Sequence, residues 1–313
     1  MMNSDRETWH ETPEGPMSER PSGAPWRFDL LDAVSQAGTS VNEDRATATA
    51  RAAWVLDGAT GLSLQRLFPG PSDPAWFAAA ADALLARLTG ERDDSATLLR
   101  SLVTALHDAC AAAALVPLAD TDIELPSASL AAAQFVGGEI KLIMLGDCKL
   151  LLRQADGQVE AFDQSSVAPF DAKVVEALRA IQAGGETALS RITPMLTPLI
   201  RGNRRWKNRP GGYGVLTADP ACLAFAETAR RPAADVTHLL LATDGFYRLV
   251  DTYGMLTAGE LMQAALERGL APLHAELRRL EDDDPECLAF PRLKARDDAS
   301  AVLVGVGRTQ GRE

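Results

Sequence analysis

The chain has 313 residues, and its 43 Asp and Glu residues outnumber its 31 Lys and Arg residues, which gives a formal net charge of −12. Hydrophobic residues make up 46% of the sequence and charged residues 24%, as expected of a globular protein with a substantial core. An acidic chain repels phosphate backbones and anionic lipids at long range, so nucleic acid and membranes are excluded as expected partners. Oligomeric state is left open by the sequence.

The four cysteines lie far apart, form no CxxC pair and do not cluster with the four histidines. This spacing argues against a structural zinc site and against a disulfide framework. The N-terminal segment contains no apolar stretch of signal-peptide type, and no later run reaches transmembrane length. We therefore predict a reduced, cytoplasmic protein.

The first 26 residues are polar and rich in acids, prolines and glycines, which predicts a disordered leader before a single domain at 27–308 and a short tail at 309–313. Apolar stretches at 28–34 and 47–56 predict strands, with a bend near Arg51. Asp73 and Pro74 are typical of a helix start, and helices are predicted at 75–88 and 95–116.

Four strands are predicted in the middle of the chain, at 129–136, 139–145, 149–153 and 158–162, because turn dipeptides such as Gly137-Gly138 separate them. A helix at 172–183 follows, then strands at 213–216 and 238–242. Thr257 and Glu260 predict a capping box at the start of another helix. The last strand is predicted at 301–306.

This order of elements shows no βαβ alternation, so a doubly wound parallel sheet is not expected. Blocks of antiparallel strands with helices outside them favour an α+β layered domain.

Carboxylates stand at or beside the ends of several apolar strands, in the segments Asn42-Glu43-Asp44, Asp57-Gly58, Thr243-Asp244-Gly245 and Asp297-Asp298. An aspartate followed by glycine at a strand end offers carboxylate and carbonyl oxygens together, the ligands that Mg²⁺ and Mn²⁺ prefer. Asp-Gly is also common turn chemistry, so no single segment is specific. The four segments together are a more specific indication of a metal site than any one of them alone.

Together with Gly146-Asp147-Cys148, these segments follow the motif order of the type 2C, metal-dependent protein serine/threonine phosphatases, which the chain resembles from Phe28 to Gly307. The resemblance is to a divergent, bacterial-type member. It implies a four-layer αββα sandwich, in which a central antiparallel β-sandwich is flanked by helix pairs. It also implies hydrolysis of phosphoserine and phosphothreonine in phosphorylated proteins by a metal-activated water, without a protein nucleophile.

The resemblance also implies the role of each site residue. Two Mn²⁺ or Mg²⁺ ions per chain would be bridged by Asp57, and the Gly58 carbonyl would bind one of them. Asp244 and Asp297 would hold the other ion. Glu43 and Asp44 would hold metal-bound waters, and Asp147 would serve a third, weaker site.

Three positions depart from the family pattern. Thr39 stands where many relatives have an arginine that grips the phosphate, and Ala59 stands where animal-type members have a histidine that protonates the leaving group. Arg248 replaces an acid of the outer metal site. We hypothesise that Arg248 binds the substrate phosphate, with Arg45 as a second candidate; the alternative for Arg248 is a surface arginine paired with an acid such as Asp251.

These departures keep a second reading open, namely a weak or inactive type 2C fold that serves as a regulatory binding module. Two runs of charged residues lie outside these motifs. The basic residues of 201–209 are interpreted as a flap over the substrate or as a solvated loop. The acidic residues 281–284 are interpreted as a solvated helix end.

Overall fold

The computed structural model describes residues 25–59, 61, 65–90, 95–118, 125–163 and 166–309. The predicted leader and tail fall almost wholly outside these ranges. The first strand begins at Trp26 and the last strand ends at Arg308. The domain limits at 27 and 308 remain a prediction.

In the described part of the chain, ten strands form two antiparallel sheets of five strands each. The first sheet has the order β1-β10-β9-β6-β7 and the second has the order β2-β3-β4-β5-β8. The strands are β1 (Trp26–Gln36), β2 (Asp44–Ala48), β3 (Ala52–Gly58), β4 (Ala128–Val136), β5 (Glu139–Leu145), β6 (Lys149–Gln154), β7 (Val159–Asp163), β8 (Glu227–Pro232), β9 (Val236–Ala242) and β10 (Ala299–Arg308).

Helices cover the outer faces of both sheets. They are α1 (Asp73–Leu88), α2 (Ser95–Ala113), α3 (Ala168–Ala183), α4 (Leu189–Arg204), α5 (Asp244–Asp251), α6 (Ala258–Arg268) and α7 (Leu270–Asp283). Within the described ranges, no helix is both long and apolar enough to cross a bilayer.

Side-chain alternation along the central strands builds the layers. In β3, Trp54 and Leu56 pack under α1 and α2, whereas Ala53 and Val55 face the opposite sheet. A third core cluster joins β9 and β10 to α5, α6 and α7. The predicted αββα sandwich is therefore confirmed, with three helices rather than a simple pair over the first sheet.

Helices α3 and α4 form a separate pair with a small core of their own, which includes Val174, Leu178 and Ile192. Helix α4 was not predicted because it contains Pro194 and Pro198, residues that usually end a helix. Both prolines are exposed. Hydroxyl groups of threonines within α4 bond to the carbonyls of the preceding turn.

The predicted strand at 213–216 is wrong. Within the described chain, this segment makes only isolated bridges, from Leu216 to Ala128 and from Tyr213 to Lys207. The backbone of Val215 instead exchanges hydrogen bonds with the side chain of the buried Asn208. The polar edge strand β8, which pairs with β5, was missed.

Candidate metal centre

Four aspartates that sequence analysis assigned to the site lie together at one end of the sandwich. We call Asp44, Asp57, Asp147 and Asp244 the acidic cluster. Asp44 and Asp57 face each other as register partners in β2 and β3. Asp57 is also paired with Ser129 of β4, whose hydroxyl donates to Asp147 at 2.6 Å. Sheet register therefore brings Asp44 and Asp57 together, and the Ser129 hydroxyl holds Asp147 beside them.

The fourth carboxylate comes from the other sheet. Asp244 begins α5 directly after β9, and its side chain lies within hydrogen-bond reach of Asp57. The neighbouring Thr243 donates its hydroxyl to Asp44 at 2.9 Å and accepts the backbone N–H of Ser300. The acidic cluster thus lies at the junction between the two sheets.

Glycines after two of the motif aspartates allow close backbone approaches. A Cβ on Gly58 would lie 2.7 Å from the carbonyl oxygen of Glu43, and a Cβ on Gly245 would lie 1.9 Å from that of Asp298. Neither glycine has a positive φ angle. In these two segments, Asp-Gly is therefore required by crowding around the site and not by turn geometry.

The acidic cluster is destabilised by its own charge. Burial raises the pKa of Asp44 and Asp57 well above the usual range, and the neighbouring carboxylates raise it further. Burial, followed by the charge of Asp244, raises the pKa of Asp147 to about 6. Carboxylates that repel each other in this way become stable when a cation lies between them.

One oxygen of the acidic cluster has no hydrogen-bond partner among the described residues. Oδ1 of Asp44 is buried and accepts no hydrogen bond, although Oδ2 is bound by Thr243. In the described part of the chain, no group of three or more His, Cys, Asp or Glu side chains is already arranged as a set of metal ligands. The donor chemistry, the mutual repulsion and the free oxygen nevertheless fit a hard divalent cation.

Glu43 lies beside the acidic cluster, at the start of α1. Its carboxylate accepts the hydroxyl hydrogen of Ser72 at 2.6 Å, and Ser72 also caps α1 through the N–H of Ala75. The guanidinium of Arg45, a candidate for phosphate binding, bonds instead to the backbone carbonyls of Asp44 and Asn42. Arg45 therefore stabilises the loop that carries Glu43 and Asp44.

Asp297 differs from the acidic cluster because protein cations bind both of its oxygens. Nη2 of Arg248 lies 2.6 Å from Oδ2, and Nζ of Lys294 lies 2.6 Å from Oδ1. Burial opposes ionisation, but these two cations outweigh it and lower the pKa of Asp297 below its usual value.

Arg248 lies beside Asp297 and belongs to a buried ion-pair network. Its other terminal nitrogen binds Glu281 at 3.0 Å, and Glu281 is fully buried and also bound by Arg278. The predicted solvated helix end is therefore wrong for Glu281, whereas Asp282 and Asp283 are exposed. Arg248 forms its ion pairs with Glu281 and Asp297, which come from distant parts of the chain. The sequence had suggested Asp251 as its partner in the alternative interpretation.

Asp298 connects two loops of the site. Oδ1 accepts the N–H of Gly38 at 2.8 Å, and Oδ2 accepts the N–H of Glu43 at 2.6 Å. An asparagine at this position would offer only one acceptor oxygen. The carboxylate at 298 thus has a structural role in holding the loop that contains Thr39.

A cavity of about 670 Å³ opens beside Asp297 and is called the site cavity here. Its walls come from the loop at 38–43, the start of α4 and the segment 293–298, and they include Thr39, Lys294 and Arg296. Lys294 is one of only five lysines in the chain and stands three residues before Asp297. That proximity was the available sequence signal, and sequence reasoning missed it.

The chain was compared with models of known protein families. The profile of the family described as Protein phosphatase 2C matches residues 36–280, more than half of the chain.

The chain belongs to the protein phosphatase 2C family.

Solved structures of type 2C phosphatases support the fold assignment. The serine/threonine phosphatase PstP/Ppp of Mycobacterium tuberculosis is 17% identical, with a TM-score of 0.50 over 90% of this chain and 98% of the other. The catalytic domain of PstP in complex with two manganese ions is 16% identical, with a TM-score of 0.50 over 90% and 99%. The phosphatase MsPP of Mycobacterium smegmatis, in complex with cacodylate, is 17% identical, with a TM-score of 0.50 over 89% and 99%. A comparison with curated proteins finds no match.

The helix pair α3–α4 adds groups that the motifs of the type 2C phosphatases did not indicate. Burial raises the pKa of Asp171, in the first turn of α3, to about 7, and the charges of Asp147 and Asp244 contribute. Arg204, in the last turn of α4, is within electrostatic range of Glu43. The basic residues predicted as a flap therefore begin within α4, next to the site. Their role as a flap remains a prediction.

The cysteine of the Gly146-Asp147-Cys148 segment is buried beside the acidic cluster. Burial and the nearby negative charges of Asp57 and Asp147 raise the pKa of its thiol well above the usual value. A thiol that stays protonated is a poor nucleophile. This environment agrees with a site in which no cysteine attacks the substrate.

Proposed function

We propose that this member of the protein phosphatase 2C family hydrolyses phosphoserine and phosphothreonine in proteins with the help of two Mn²⁺ or Mg²⁺ ions. The observation that supports the proposal best is the acidic cluster, with its raised carboxyl pKa values and the unpartnered oxygen of Asp44. Asp57, the carbonyl of Gly58, Asp244 and Asp297 would hold the ions. Asp147 would hold a third, weaker one.

Divalent ions at such a centre supply a hydroxide at neutral pH and neutralise the charge of the phosphoryl group. The protein residues position the reactants. Glu43 and Asp44 are held by Ser72 and Thr243, so their carboxylates keep a fixed direction from which they can accept hydrogen bonds from water. The sequence proposed Arg248 and Arg45 as phosphate-binding residues, but both guanidinium groups already bind protein oxygens.

The test is turnover of a phosphothreonine peptide by the full chain, with chelator, Mg²⁺ or Mn²⁺. We expect turnover only with metal, and an Asp244→Asn variant should lose most of it. The exposed variant Asp156→Asn serves as the control, because Asp156 lies in a turn outside the site. A folded wild-type chain without metal-dependent turnover on any phosphoester would contradict the proposal.

A second candidate function is a regulatory binding module with the same fold. It is favoured by the ion pairs that bind both oxygens of Asp297, in addition to the departures at Thr39 and Ala59. Calorimetric titration with Mn²⁺ separates the two functions. Two binding events support the enzyme, and no binding supports the module.

We further propose a cytoplasmic location. All four cysteines lie in the described part of the chain, and each is buried and unpaired. Free cysteines are typical of proteins in a reducing compartment. The partner in either case would be a phosphorylated protein.

A further inference from the structure

The site cavity needs a cation for the substrate phosphate, because the position that is arginine in many relatives is Thr39 here. A phosphoryl dianion is bound best by charged hydrogen-bond donors. Thr39 and Lys294 line the same cavity, and Lys294 reaches it from the segment that carries Asp297. The positive charge missing at Thr39 is therefore supplied to this cavity from another part of the chain.

The backbone on either side of Lys294 is held by its neighbour Arg292. The buried guanidinium of Arg292 donates to the carbonyl of Ala295 from two of its nitrogens, at 3.2 and 3.1 Å. It also binds the carboxylate of Asp284 at 2.7 Å and the carbonyl of Phe290 at 2.9 Å. The loop that presents Lys294 is thus anchored on both sides.

Lys294 is also more available to a ligand than Arg248. Its side chain is 45% exposed and, among the described residues, pairs with a single carboxylate. The side chain of Arg248 is 9% exposed and is shared between Glu281 and Asp297. A flexible ammonium with one partner can bind a phosphate oxygen without leaving a buried carboxylate unpaired.

Lys294 lies close to the residues proposed to hold the metal ions. Its Nζ is 2.6 Å from Oδ1 of Asp297, which belongs to the centre described above. The ammonium is therefore close to the place where the phosphoryl group would react.

We propose that Lys294 is the residue that binds the substrate phosphate in the site cavity, in place of the arginine that relatives have at the position of Thr39. This inference rests on the proposed phosphatase function and extends it. The phosphate oxygen would accept a hydrogen bond from the Lys294 ammonium, while Arg248 would stay within its ion-pair network.

The test compares Lys294→Gln and Lys294→Arg with Arg296→Gln. Arg296 is a matched control because it lines the same cavity, carries the same charge and pairs with Asp282. KM and kcat are measured on a phosphothreonine peptide with Mn²⁺. Binding of inorganic phosphate to the Mn²⁺-loaded chain and binding of Mn²⁺ alone are measured by calorimetry.

We expect Lys294→Gln to raise KM and the Kd for phosphate by about 10- to 100-fold, as the loss of a charged hydrogen bond implies. Its affinity for Mn²⁺ should not decrease. Lys294→Arg should restore most of the loss, and Arg296→Gln should resemble the wild type.

Unchanged phosphate binding and KM in Lys294→Gln would overturn the proposal, and so would an equal loss in Arg296→Gln. If the wild type binds phosphate through Lys294 but hydrolyses no phosphoester, this inference stands and the proposed phosphatase function fails. If the wild type hydrolyses the peptide with Mn²⁺ and Lys294→Gln does so with the same KM, the phosphatase function stands and this inference fails.

Discussion

Replacing Asp147 with asparagine removes one negative charge from the acidic cluster and keeps an oxygen that can accept the hydrogen bond from Ser129. The folded protein raises the pKa of Asp147 from 3.8 to about 6, chiefly through burial and then through the charge of Asp244. The native state therefore binds more protons than the unfolded chain between these two pH values. In that window the wild type loses stability as the pH rises.

The size of this effect on stability follows from the pKa shift of Asp147. A difference of about two pKa units, at about 1.4 kcal/mol per unit, corresponds to about 3 kcal/mol in the free energy of unfolding. This cost is absent below the unfolded pKa and fully present above the folded pKa. Without metal, Asp147→Asn should therefore match the wild type near pH 4 and exceed its stability by about 3 kcal/mol at pH 8.

Urea unfolding followed by circular dichroism, in the presence of a chelator and across this pH range, measures the difference. Asp156→Asn removes an exposed turn carboxylate and should follow the wild-type curve. Identical pH profiles for the wild type and Asp147→Asn would refute the argument from charge repulsion. Saturation with Mn²⁺ should reverse the order of stability, because the wild-type carboxylate then has a cation to bind.

Three further substitutions test the surroundings of the acidic cluster. Asp57→Asn should weaken binding of both metal ions and lower the rate by several orders of magnitude while the fold survives; a near-wild-type rate would mean that another aspartate bridges the ions. Thr243→Val should cost about 1.5–3 kcal/mol in chemical unfolding, because the buried carboxylate of Asp44 loses the hydroxyl that donates to its Oδ2, and an unchanged midpoint would contradict this. Gly245→Ala should lower the melting temperature or prevent folding, since the new Cβ meets the carbonyl of Asp298 at 1.9 Å; a stable variant would show that this loop can move.

The sandwich could be predicted because its strands are short apolar runs separated by turn dipeptides. Nearly every strand in the two sheets was found within a few residues of its observed limits. The polar edge strand β8 was missed because only one edge of it is paired and its side chains are largely solvated. Helix α4 was missed because helix propensity is a local rule, and its two prolines lie on the exposed side of the helix.

The motif aspartates were predictable as a set, but their charge partners were not. Arg248 and Glu281 are separated by 33 residues, and no local pattern relates them. The run at 281–284 was interpreted as uniformly solvated, yet the helix turns Glu281 inward and leaves Asp282 outside. Which member of a charged run is buried depends on helical phase and on a tertiary partner.

The two hydrogen bonds of Asp298 bear on how such chains are recognised from sequence. Because Gly38 and Glu43 each donate a backbone N–H to one carboxylate oxygen, asparagine at this position would present an amide N–H₂ to one of the two donors. The choice of acid at 298 is therefore coupled to the conformation of a loop about 255 residues earlier in the chain. A search pattern that demanded asparagine at this position would reject this chain, although its loop depends on the carboxylate. A pattern that accepts either residue, together with a glycine five positions before the glutamate, follows the hydrogen bonds instead.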